Sequence, residues 1–167
     1  MHIEDIRMLF DYGYQTNARL LDTAAQLTPE QFTRPVFKIG SVHRTLVHQM
    51  SAEWVWRSRL QEGVSPTAQL NPADFPSLDA IRARWGAEEA AMRAYLTGLR
   101  DEDLARTVHY KTTTGKPSSD TVGPLLLHIV NHGTQHRSEV AAMLTELGHS
   151  PGDLDLLLYL RQRAPSA

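Results

Sequence analysis

Residues 121–148 read TVGPLLLHIVNHGTQHRSEVAAMLTELG. Leu125, Ile129, His132, His136, Val140, Met143 and Leu147 recur there at spacings of three and four, the period of a helix with one inward face. Gly148 stands just past the last periodic residue, where a helix is commonly capped, so the pattern predicts a helix over 121–147. Two histidines interrupt the apolar stripe. At about 100° per residue, His132 and His136 lie about 40° apart around the axis and one turn apart in height. Both imidazoles therefore face one side and can meet one ion. The metalloprotease arrangement with this spacing puts a glutamate after the first histidine, and Gly133 stands there instead. Two hydrogen-bonded core histidines are the competing reading, but burying neutral imidazoles without partners costs several kcal/mol, about the cost of unpaired buried polar groups.

Working outward, the same periodicity predicts three more long helices. Ile6, Phe10, Gly13, Asn17, Leu20, Leu21, Ala24 and Leu27 make one face of a helix over 3–27. Ser41 caps a second over 41–62, carrying Leu46, Val47, Met50, Trp54, Val55 and Leu60. Ser77 opens a third over 77–98, with Ile81, Trp85, Met92, Tyr95 and Leu96 as its apolar positions and Glu88 and Glu89 between them. Thr28-Pro29-Glu30-Gln31 reads as a capping box with proline in the first turn, hence a short extra turn of helix. Residues 63–76 hold three prolines and no period, a loop. Residues 107–119 alternate and then turn polar, a small hairpin, and 153–163 reads as a terminal helix. Four long helices make an all-α four-helix bundle the economical architecture, one domain over 1–167.

Composition removes several classes of function. Hydrophobic residues are 41% and charged residues 22%, ordinary globular usage that argues against disorder. There is no cysteine, which excludes disulfides, thiolate zinc sites, iron–sulfur clusters and cysteine nucleophiles. A net charge of −2 lacks the basic footprint of a nucleic-acid binder. No apolar run approaches the roughly 20 residues that span a bilayer, and acids follow Met1 where a signal peptide has bases. A cytoplasmic protein with no membrane and no nucleic-acid partner is expected.

Any metal here must sit on nitrogen and oxygen. Eight histidines are unusual in this length. His128 shares the face of His132 but lies about 12 Å along the axis from His136, too far to grip the same ion from a straight helix. The third ligand is expected from another helix, and His48, among Val47, Ala52 and Val55, is the candidate. His43 is expected nearer the surface, and His2, His109 and His149 at ends and loops. Glu139 also points inward. It is read as a partner that orients a histidine or as half of an ion pair, ahead of a general base. A ferritin-like di-iron site needs two Glu-x-x-His motifs, and the one present, Glu146 to His149, is broken by Gly148.

SVHRTLVHQMSAEWVWRSRL (residues 41–60) and LLHIVNHGTQHRSEVAAMLTELGHSPGDLD (126–155), with DYGYQTNARLLDTAAQLTPEQF at the start, resemble the DinB/YfiT-like metalloenzymes. NHGTQHR, Asn131 to Arg137, is the most specific piece. The resemblance implies a four-helix bundle, often a homodimer, with His48, His132 and His136 around a divalent cation. It departs at Ser138-Glu139, where many members have glycine-glutamine. Activities among such relatives are thiol-dependent, either transfer onto low-molecular-weight thiols such as bacillithiol or isomerisation with mycothiol or glutathione. The family's name, damage-inducible, implies a stress-response setting. The expected function is thiol-dependent S-transfer or hydrolase-type chemistry on a small-molecule substrate. The alternative is a non-catalytic bundle stabilised by its metal. Zinc or nickel suits three imidazoles best, with iron, manganese and copper also accommodated.

Overall fold

A computed structural model describes residues 1–163. The chain is mostly helical, with six helices and a two-stranded sheet: α1 (Ile3–Ala24), α2 (Pro29–Thr33), α3 (Val42–Arg57), α4 (Leu78–Thr97), β1 (Thr107–Lys111), β2 (Pro117–Thr121), α5 (Val122–Glu146) and α6 (Leu156–Arg163). The expected caps form. Thr28 and Gln31 exchange side-chain-to-backbone bonds of 3.2 and 2.9 Å, and the Ser41 and Ser77 hydroxyls each accept an N–H at 3.2 Å. At the end of α5, Gly148 adopts φ +89°, Gly148 N–H reaches Thr145 O at 3.0 Å and His149 N–H reaches Leu144 O at 2.9 Å. That double closure satisfies the last carbonyls, and a residue with a Cβ is strained there.

The second long helix does not run evenly to residue 62. After Arg57 it widens into a π-turn over Ser58–Glu62 and stops at Gly63, φ +67°. The hairpin is antiparallel, Thr107 facing Thr121 and Lys111 facing Pro117, with Gly115 in its turn. No helix of the described residues is long and apolar enough to cross a membrane.

Four long helices pack in a closed ring, α1 against α5 and α4, and α3 against α5 and α4. Their buried apolar residues form two separate clusters. One gathers Leu20, Leu46, Met50, Ile81, Trp85, Val140 and Leu144. The other gathers Ile6, Phe10, Met92, Leu96, Leu125, Leu126 and Ile129 at the opposite end. Between them, every long helix contributes buried polar groups: Asn17 from α1, Gln49, Glu53 and Arg57 from α3, Glu88 from α4 and Arg137 from α5. Buried charge is expensive unless partnered, so such groups between the two clusters call for internal pairing, water or a ligand.

Pairing settles some of these groups. Arg57 donates through Nε to Glu88, which also accepts from Arg57 Nη2 at 3.3 Å and Arg84 Nη1 at 3.1 Å. Arg57 reaches onward to Gln61 at 3.0 Å and Glu62 at 2.6 Å, pinning the π-turn.

Candidate metal centre

His132 and His136 stand on α5 as the spacing predicts, and α3 brings His48 to meet them. One ring nitrogen from each lies within 4.8 Å of the other two. The Nε2 atoms of His132 and His136 are 3.2 Å apart. The ring centroids are 4.4 Å apart for His132–His136, 4.7 Å for His48–His136 and 5.3 Å for His48–His132. Burial and the neighbouring imidazoles push the His132 pKa down to about 4, so the ring is neutral and its lone pair free at physiological pH. The cluster is not sealed in the core, as the apolar neighbours of His48 imply. His48 is exposed and the two α5 rings are half-buried, because the α3–α5 groove opens there to solvent.

Glu139 lies 2.6 Å from His136 Nδ1 through Oε2. A carboxylate accepts, so Nδ1–H donates to it, and Nε2 is turned toward the cluster. That contact fits the histidine-orienting reading of Glu139. His128 takes no part in the cluster. Its ring lies edge-on to Trp56, centroids 5.3 Å apart. His43, expected near the surface, is half-buried with Nε2 2.8 Å from the Phe75 carbonyl.

The DinB family model matches residues 3–166. The chain belongs to the DinB family. Protein DinB of Bacillus subtilis (strain 168) is 37% identical over 162 residues, 91% of either chain. A solved DinB-like protein from Bacillus cereus ATCC 10987 superposes with a TM-score of 0.69 at 17% identity, over 91% of this chain and 97% of that one. The DinB fold thus positions a three-histidine cluster that could hold a divalent cation.

Sequence reasoning missed the groups behind the cluster. Leu9, Phe10, Trp56, Ile129 and Val130 form the apolar wall of a narrow cavity shared by His132, Gln49, Glu53 and Arg137. Glu53 is buried, accepting from the Tyr14 hydroxyl and from Trp85 Nε1 at 3.1 Å. Burial raises its pKa from 4.5 to about 7, against the lowering by those two bonds. The sequence signal is present in α3: Leu46, Met50, Glu53 and Arg57 continue the core spacing of four, three and four.

The raised Glu53 pKa makes stability pH-dependent. Below about pH 4.5 the carboxyl is protonated in both folded and unfolded chains. As pH rises toward 7 the unfolded chain releases its proton first, so the folded state loses up to about 3 kcal/mol of relative stability, complete once the folded group ionises. Urea unfolding at pH 5 and pH 8 should show Glu53→Gln losing less stability over this interval than the wild type. Equal losses would contradict a buried, proton-holding Glu53.

Proposed function

We propose that this chain is a metal-dependent enzyme that carries a divalent cation on His48, His132 and His136. It acts on a small-molecule substrate by thiol-dependent S-transfer or hydrolase-type chemistry. The observation that carries the reading is the convergence of three ring nitrogens from two helices within 4.8 Å. The 3.2 Å between two of them fits a shared ion, since nitrogens about 2.0–2.1 Å from one tetrahedral zinc stand about 3.3 Å apart. Neutral imidazole donors favour zinc or nickel, and accommodate iron or manganese.

A cation held by neutral ligands supplies a strong positive centre that favours the deprotonated form of a water or thiol near neutral pH. The chain does the rest. Glu139 fixes the His136 ring, and the His132 pKa keeps that ring unprotonated. Glu53 holds or releases a proton near pH 7 in the cavity beside His132. The competing reading, a non-catalytic bundle stapled by its metal, calls for a closed set of four protein ligands. Among the described residues the cluster has three, and Glu139 is committed to His136.

The test is a panel of low-molecular-weight thiols with an electrophilic substrate, run on zinc- and nickel-loaded protein. Turnover that disappears with chelation and in His132→Ala, with helicity retained, supports the reading. Chelation that melts the helices without any turnover being found favours the stapled bundle.

We read the closed ring of α1, α5, α3 and α4 as a four-helix bundle and as one domain over 1–167, of which 164–167 lie outside the described residues. We further propose a cytoplasmic homodimer. The cysteine-free composition suits a reducing compartment, and Leu157, Leu158 and Leu160 stand exposed on α6. Trp85 is buried, and Trp54 and Trp56 are half-buried, Trp56 against Tyr110 and His128. Light scattering at micromolar concentration should give twice the mass of one chain, and the mass of a single chain would remove the dimer.

A further inference from the structure

Arg137 is 6% exposed and has no carboxylate within ion-pairing distance among the described residues. Its one hydrogen bond runs from Nη2 to the Thr134 hydroxyl at 2.9 Å, on its own helix. Glu53 shares the cavity, but Tyr14 and Trp85 donate to its two oxygens. A guanidinium carries five N–H donors, and beyond Thr134 those of Arg137 meet no protein acceptor among the described residues, only the Tyr12 ring 5.8 Å from Cζ.

The slot that holds it is built. Gly13 of α1 and Gly133 of α5 flank the guanidinium. A Cβ at Gly133 would fall 2.7 Å from Arg137 Nη1, and one at Gly13 would fall 3.1 Å from it. Helix-interior glycine costs roughly 0.5–1 kcal/mol relative to alanine, so two facing each other across a buried arginine mark space kept for that side chain.

A second unpaired group lies in the same cavity. Gln49 is 4% exposed, donates from Nε2 to Asn17 Oδ1 at 3.0 Å, and leaves Oε1 buried with no partner. The cavity therefore presents an unneutralised cation and an orphan acceptor, and His132 lines its wall. Its free volume is about 20 Å³, room for one small polar group.

We infer that Arg137 and Gln49 form an anchor for the carboxylate end of a small organic acid that carries an adjacent O–H or N–H. The carboxylate takes the Arg137 donors in the charge-assisted geometry that guanidinium favours, and the adjacent donor satisfies Gln49 Oε1. The ligand's other end then lies toward His132 and the histidine cluster. This names the substrate class of the proposed metal site, and rests on that reading only for what happens at the far end.

The test uses the full chain, metal-free and zinc-loaded, followed by proton–nitrogen NMR during titration with glycolate, acetate and glycolamide. Metal-free protein comes first, because zinc itself attracts carboxylates. Glycolate should shift the Arg137 Nε–H signal and the cavity residues saturably in the millimolar range, and more tightly than acetate. Glycolamide, which lacks the charge, should do nothing at the same concentrations. Arg137→Gln should weaken glycolate at least tenfold. Gln49→Met should erase the preference for glycolate over acetate while leaving acetate binding in place. Equal responses to glycolate and glycolamide, or a glycolate response that survives in Arg137→Gln, would overturn the anchor. If zinc fails to bind the histidines yet glycolate still saturates Arg137 in metal-free protein, the metal reading falls and the anchor stands. If zinc binds and glycolate leaves Arg137 untouched, the anchor alone falls.

Discussion

Replacing His132 by alanine should weaken zinc binding by at least about 100-fold while leaving the helical content unchanged. Loss of a partner that merely orients a ligand typically costs 10–100-fold, and removing one of only three ligands costs more. The cluster supplies three nitrogens; the His128 ring lies 5.9 Å from that of His132 but packs on Trp56, and Glu139 bonds His136. The fold should survive because the two apolar clusters lie on either side of His132 and do not include it. His128→Ala should cost less than tenfold. Glu139→Gln should fall between, because it keeps the shape but weakens the bond that fixes His136. Competition against a chromogenic chelator measures all three. Stoichiometric zinc retained by His132→Ala and His136→Ala, but lost by His128→Ala, would show that a different trio binds.

Glu88→Ala should destabilise the chain by up to about 3–5 kcal/mol, because it removes the buried partner of Arg57 and leaves that cation only the exposed Glu62. At this chain length that corresponds to a fall in Tm of roughly 6–20 °C. Glu88 is fully buried and joins α4 to α3 and, through Arg57, to the π-turn. The double variant Arg57→Met/Glu88→Leu should recover most of the loss, since well-packed apolar groups often replace a buried ion pair at little cost. Calorimetry decides it. A single variant within about 1 kcal/mol of wild type would mean that Glu62 and water suffice to hold Arg57.

Much of the site was legible in the sequence. The roughly 40° offset of His132 and His136 on an apolar stripe, and the lone histidine inside a second helix, point to the cluster from the sequence alone. The caps at Thr28, Ser41, Ser77 and Gly148 are local chemistry, and all four form. What was not read is the set of buried polar groups. Ile81, Trp85, Glu88 and Met92 keep the core spacing, as do Leu46, Met50, Glu53 and Arg57. Charged residues on such a stripe look like a break in the apolar face when one helix is read alone. Their meaning comes from partners on other helices, which periodicity within a single helix does not report. Arg137 was hidden in the same way, although Gly133 one turn before it and Gly13 on α1 held the space that it fills. The exposure of His48 also escaped, because its apolar neighbours in sequence face the core while its own ring faces the α3–α5 groove.

The most direct test of the metal site is X-ray absorption at the zinc edge on chain loaded to saturation, together with elemental analysis. One zinc per chain, with three imidazole nitrogens at about 2.0–2.1 Å and one further light donor that is not histidine, is the predicted result. Substoichiometric zinc at saturation, or a shell with fewer than three imidazoles, would contradict the assignment of His48, His132 and His136.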